Sequence, residues 1–260
     1  MRYFLELRYL GAAYCGWQRQ PDQPSVQQTL ERALSTLLRE PVEVTGAGRT
    51  DTGVNASYYV AHFDVRQPVA DPAQTLYKLN FLLPDDISAG GLTPVAEGAH
   101  ARFDACEREY VYRIETRKNP FTRLLSWQYY VPLDLERMNR AAAMLTEFRD
   151  FTTFAKLNSN NRTNICRIYE AGWSAEPGDV LRFRIRADRF LRNMVRAIVG
   201  TLVDVGRGRY TPGDFRAIIE SRDLSRSSAG APAQGLFLSD IRYPSEVFER
   251  RSFRDSGPLI

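Results

Sequence analysis

Residues 46–56 read GAGRTDTGVNA. One carboxylate, Asp51, sits in this run of small and mostly polar residues, with Arg49 two places before it. Short apolar runs flank the stretch, Val42–Thr45 before it and Tyr58–Val65 after it, and both read as strands. The stretch is therefore a strand-to-strand loop that presents an aspartate.

Three chemistries compete for that loop. A dinucleotide loop needs glycine at position 51 of a GxGxxG pattern, and an aspartate there would repel a pyrophosphate. No GxxxxGK[ST] run occurs either. An aspartic protease is suggested by Asp51-Thr52-Gly53 and its echo at Asp255-Ser256-Gly257. Such a dyad shares one proton, which Arg49 beside the first copy and Phe253-Arg254 beside the second disfavour. The third reading makes Asp51 a lone carboxylate nucleophile, flanked by backbone N–H groups and arginine. Against it stands the blander reading of a turn aspartate that bonds its own backbone.

Outward from the loop the chain alternates strand and helix. Arg2–Tyr9 reads as a strand with Tyr3, Leu5, Leu7 and Tyr9 on one face. Ser25–Arg39 reads as a helix, with a Ser25–Gln28 capping box, an apolar stripe of Val26, Leu30, Leu34 and Leu37, and Pro41 as its stop. The second half repeats the grammar: a strand at Glu109–Glu115, a helix at Asp134–Glu147, strands at Tyr169–Ser174 and Val180–Ala187, and a helix at Phe190–Val203. Residues 116–127 and 156–166 read as polar connectors, and the tail after Pro244 as surface chain. The expected fold class is α+β, with two similar halves, 1–105 and 106–260, whose antiparallel sheets and helices join around a central cleft.

The 260-residue chain is 43% apolar, enough for a sizeable core. It has no apolar run of transmembrane length, so no membrane role is expected. Cys15, Cys106 and Cys166 are scattered and odd in number, which suits a reduced, cytoplasmic protein. With His62 and His100 the only histidines, no metal site is expected. Charge is uneven: residues 1–105 hold 9 basic and 12 acidic side chains, whereas 106–260 hold 26 basic and 19 acidic. Of the 35 basic residues 32 are arginine, which suits phosphate binding or reflects genomic composition alike.

Several motifs together resemble the bacterial tRNA pseudouridine synthase I family along nearly the whole chain. They are Gly16-Trp17-Gln18-Arg19-Gln20 with Ser25-Val26-Gln27, Gly46–Val54, and His100-Ala101-Arg102-Phe103 with Arg108-Glu109-Tyr110-Val111-Tyr112. Asp150-Phe151-Thr152, Arg162-Thr163, the long run Phe190–Gly206 and Gly235-Leu236-Phe237-Leu238 follow in family order. One departure stands out. The family often has histidine where Asn55 stands, and an asparagine cannot change charge near neutral pH, so proton transfer is not expected there.

The resemblance implies isomerisation of uridine to pseudouridine in the anticodon stem-loop of tRNA, at positions 38–40, by a homodimer that needs no cofactor. It places Asp51 as nucleophile, Tyr110 against the flipped base and Arg196 across the cleft from Asp51. Arg49 would fill the gap left by the base or hold a phosphate, and Leu236 belongs to a closing strand at the substrate site. From the residues themselves, Arg189, Arg192 and Arg196 share one face of the expected 190–203 helix, and Arg182, Arg184 and Arg186 one face of the strand before it. Two adjacent basic faces suggest an RNA surface. The alternatives are a core position for Tyr110, a solvated helix face for the arginines, and a basic RNA-binding module without catalysis for the whole chain.

Overall fold

The computed structural model describes residues 1–156 and 163–248. Arg162 of the family marker, the 253–257 echo and the end of the tail lie outside the described residues. The first half holds β1 (Arg2–Tyr9), α1 (Val26–Leu38), β2 (Val44–Gly46), β3 (Asn55–Asp64), α2 (Pro72–Leu82) and β4 (Ile87–Val95). The second holds β5 (Glu107–Glu115), β6 (Trp127–Gln128), α3 (Leu135–Met144), β7 (Ile168–Glu176), β8 (Val180–Ala187), α4 (Met194–Gly206), α5 (Pro212–Ser221) and β9 (Leu236–Arg242).

Instead of two sheets meeting, one sheet runs through the molecule in the order β4-β1-β3-β9-β5-β8-β7, with β2 added to β3 and β6 to β5. Its pairs are antiparallel except β5–β6 and β3–β9. The β3–β9 contact is the join, and it is short: Asn55 opposes Phe237 and Ala56 opposes Leu238. A returning C-terminal strand thus fuses the halves, a long-range pairing that no local pattern announces.

Each half keeps its own core. Tyr3, Leu5, Leu7 and Tyr9 of β1 are at most 3% exposed and pack with Trp17, Tyr59 and Phe63 under the Val26–Leu34 stripe of α1. Ser25 caps α1 by accepting from the Gln28 N–H, a contact worth about 1 kcal/mol. Arg39 closes the same helix in a left-handed conformation. The second core joins Met138, Ala142 and Leu145 of the α3 region, Phe183 and Ile185 of β8, and the buried side of α4. Tyr110 touches both cores, so it lies where they meet.

Strand alternation sorts the second half's side chains. Opposed pairs Tyr110–Ile185 and Tyr112–Phe183 face the α3–α4 core, whereas Glu109–Arg186, Val111–Arg184 and Arg113–Arg182 face the other way. The arginine face of β8 therefore lies on the opposite side of the sheet from Tyr110.

Candidate active site

The loop between β2 and β3 is held rigidly from below. Tyr9 and Thr50 share a buried hydroxyl contact of 2.9 Å, and the Tyr59 hydroxyl donates to the Gly48 carbonyl at 2.5 Å. Gly46 is required by packing: a Cβ there would lie 2.1 Å from the Tyr59 oxygen and 2.5 Å from the Trp17 ring. Gly53 is required by conformation, at φ +76°. Between them the loop turns and leaves Asp51 half-buried at its crest.

Two guanidinium groups flank the Asp51 carboxylate. Arg192 Nε lies 3.5 Å from Oδ1 and Arg196 Nη1 lies 3.9 Å from Oδ2. Among the described residues no donor hydrogen-bonds either oxygen. The expected flank of backbone N–H groups is absent, and so is the self-bonded turn. The turn is closed by a bond from the Val54 N–H to the Asp51 backbone carbonyl. The carboxylate thus sits in a positive environment with its lone pairs free.

Arg196, in the first turn of α4, is fixed by donating Nε to the Ala231 carbonyl at 2.6 Å. Arg189 and Arg192 do not share a helix face with it. Asn193 adopts a left-handed conformation (φ 65°), so α4 starts at Met194 and both arginines lie in the connection before it, Arg192 in its final turn. That turn brings Arg192 over Asp51. Arg189 makes no ion pair among the described residues. Arg49 is exposed and likewise makes none. The second cation at Asp51 is therefore Arg192, not Arg49.

Tyr110 is half-buried and edge-on to Phe190, with ring centroids 5.1 Å apart. Its hydroxyl hydrogen-bonds no described residue. Burial pushes the phenol up to about 12; the Arg108 cation opposes this shift and the Asp51 charge adds to it. Tyr112, by contrast, is fully buried and donates to the Pro232 carbonyl at 2.7 Å, so of the two tyrosines Tyr112 is the core aromatic.

Two proposed contacts are not brought to this cleft. Arg184 bonds Glu109 Oε2 at 2.6 Å and Glu170 Oε1 at 3.3 Å, on the far face of the sheet. Arg182 and Arg186 are likewise paired, with Glu176 and with Glu107 and Glu170. This face is an ion-pair ladder rather than a row of bare cations. Leu236 is 5% exposed, opposite Tyr112 in the second core, where packing leaves a substrate little to touch.

Two residues named in the sequence take positioning roles that sequence reasoning does not foresee. Asn55, 1% exposed, accepts from the Gly11 N–H at 2.8 Å and donates to the Gln234 carbonyl at 2.9 Å, clamping the halves at their join. Its departure from histidine was the visible signal, and the clamp fits a group that carries no proton. Arg108 donates to the carbonyls of Ala47, Arg102, Ala105 and Asp188, at 2.8–3.2 Å. It ties the foot of the Asp51 loop, the approach to Arg189 and the strand bearing Tyr110 into one unit.

Among the described residues no group of three or more histidine, cysteine, aspartate or glutamate side chains is placed to hold a metal ion. No described helix is long and apolar enough to cross a membrane. Among the described residues neither the Asp51 carboxylate, which lies between two cations, nor the Tyr110 hydroxyl has a hydrogen-bond partner, and the Asp51 charge acts on the phenol.

The family described as tRNA pseudouridine synthase matches residues 7–104 and 141–244. The chain is 50% identical to "tRNA pseudouridine synthase A" of Parabacteroides distasonis over 247 residues, 95% of this chain and 98% of that relative. Proteins of the same description from Bacteroides thetaiotaomicron and Porphyromonas gingivalis are 51% and 52% identical, over 96% and 95% of this chain and 94% and 99% of theirs. The chain belongs to the tRNA pseudouridine synthase family, and its activity is isomerisation in tRNA. Among solved structures, one from the archaeal box H/ACA sRNP Nop10–Cbf5 complex is similar at 12% identity and TM-score 0.29, over 77% of this chain and 44% of that one. A likeness that slight carries no argument.

Proposed function

We propose that the enzyme converts uridines 38–40 of the tRNA anticodon stem-loop to pseudouridine, with Asp51 as nucleophile and no cofactor. The observation that carries this reading is the Asp51 carboxylate, flanked by Arg192 and Arg196 yet free of hydrogen bonds from the described residues. The reaction breaks the bond between ribose C1′ and the uracil nitrogen, turns the base, and rejoins it through carbon. Nothing is oxidised and no atom is lost, so the chemistry asks for no redox partner. Attack at C1′ and addition to the base are both open to this carboxylate.

The target nucleoside leaves the helix first, at a cost of a few kcal/mol. Tyr110 stacks on the extruded base and its free hydroxyl handles a proton, Arg196 orients Asp51, and Arg49, Arg189 and Arg192 hold phosphates. The 1–105 half supplies the nucleophile and the 106–260 half supplies Tyr110 and Arg196. The enzyme works in the cytoplasm as a homodimer. Mapping of pseudouridines in unmodified tRNA after incubation with the pure protein tests the reading. Product confined to 38–40 is expected, and product elsewhere in the tRNA overturns the anticodon assignment.

A further inference from the structure

The turn at residues 100–104 belongs to a motif singled out in the sequence that the mechanism leaves unused. It carries Phe103, 75% exposed. Five residues hold themselves rigid there. His100 Nδ1 accepts from the N–H groups of Arg102 and Phe103 at 3.1 and 3.3 Å, and the His100 N–H donates to Asp104 Oδ2 at 2.8 Å. The Asp104 N–H returns to the His100 carbonyl, the Tyr243 hydroxyl donates to the Ala101 carbonyl, and the Ala101 N–H donates to His62 Nδ1.

This ring is built for contact. One face lies 4.2 Å from the His100 ring centroid, tilted by 33°, and the Arg102 guanidinium lies 5.9 Å from its centroid. The other exposed aromatics differ: Tyr77 and Phe81 pair with each other, Phe248 packs edge-on against Phe4 and Tyr243, and Phe121 and Tyr130 have no ring or cation partner among the described residues. The turn is also continuous with the catalytic loop. One nitrogen, Arg108 Nη2, holds both the Arg102 carbonyl and the Ala47 carbonyl, and Ala47 opens the loop that bears Asp51.

We propose that Phe103 is a stacking platform for an unpaired nucleobase of the tRNA, outside the target pocket. An exposed aromatic is sequence-tolerant toward bases because every base has a π-face, and a neighbouring guanidinium suits the attached phosphate. The turn's own hydrogen bonds hold the Phe103 backbone and the His100 ring packs against its side chain, which lowers the ordering cost of binding. The inference rests on the tRNA reading of the cleft and adds a second point of contact to it.

The test compares Phe103→Ala, Phe103→Leu and Phe103→Tyr with the parent, by binding of an unmodified tRNA transcript across a salt series. Thermal melting confirms that each exposed substitution leaves the fold intact. Loss of one stacked base weakens binding about tenfold in the Ala and Leu variants, while Tyr stays within about twofold. The log–log salt slope stays equal in all four, because a stacked base releases no counterion. An Ala variant within about twofold of the parent overturns the platform. So does a Leu variant that binds like Tyr, or a slope that flattens. Pseudouridine mapping on the parent separates the two readings: product outside 38–40 sinks the anticodon assignment and leaves the Phe103 comparison standing.

Discussion

Asp51 and Tyr110 share one property: each offers a polar side-chain group that hydrogen-bonds no other described residue. Such groups cost stability unless a ligand uses them, so replacing them should not harm the fold. Asp51→Asn keeps shape and removes the charge. Pseudouridine formation should fall on the order of 10⁴-fold or more while tRNA binding holds, and substantial activity in that variant would falsify the nucleophile assignment. Asp51→Glu should fail as well, because one methylene misplaces the attacking oxygen. Tyr110→Phe keeps the ring against Phe190 and loses only the hydroxyl. Single-turnover rate should drop about 10²–10⁴-fold with melting temperature unchanged, and a near-normal rate returns Tyr110 to a packing role. The importance of Asp51 was legible because its motif is specific. Its partners were not: Arg49 is close in sequence but exposed and makes no ion pair with it, whereas Arg192 is distant and arrives only through the Asn193 turn.

At the scale of elements, periodicity located β1, α1, α3, β5, β8 and the body of α4, because each has one buried face. It overran α4 by four residues, since the helical spacing of Phe190, Met194 and Ile198 continues through a turn in which Asn193 goes left-handed. It also passed over α5, although Thr211, Pro212 and Asp214 spell a capping box that the structure shows complete. The turn at 100–104 has a consequence of its own. His62 Nδ1 accepts the Ala101 N–H, and burial, with the Arg2 and His100 charges adding, lowers His62 to about 4 against 6.5 when unfolded; Asp64 and Asp104 oppose the shift. Its folded pKa is the lower one, so folding favours the neutral ring. That contribution is complete above pH 6.5 and fades as pH falls toward 4. Melting temperature should therefore drop across this window, reflecting a stability loss on the order of 3 kcal/mol. His62→Asn, which accepts the same N–H without titrating, should flatten the drop; an equally steep fall in that variant would assign it to other groups.

The whole molecule sets the reach of the site. A compact chain of this length has a radius of gyration of about 18 Å, too small to lie under both the anticodon arm and the distant elbow of one tRNA. A symmetric dimer could hold the loop in one cleft and the tRNA body on the partner, and light scattering that finds an active monomer at assay concentration would end that proposal. The basic excess of the second half does not translate directly into RNA contact, because the β8 arginines are matched by Glu107, Glu109, Glu170 and Glu176. Composition gave the excess, but only the pairing register reveals which arginines it leaves for a phosphate. Arg192 is 59% exposed with one long ion pair to Asp51, whereas Arg184 is held by two glutamates on the opposite face. Each phosphate contact contributes a log–log salt slope of about −0.7 to −0.9. Arg192→Ala should therefore flatten the salt dependence of tRNA binding by about one such unit. Arg184→Ala should leave it unchanged while lowering the melting temperature, because it removes the paired cation of buried Glu109 and leaves that carboxylate the Ser239 hydroxyl alone among the described residues. Equal flattening in both variants would mean that RNA crosses the far face, and the cleft would then be only part of the binding surface.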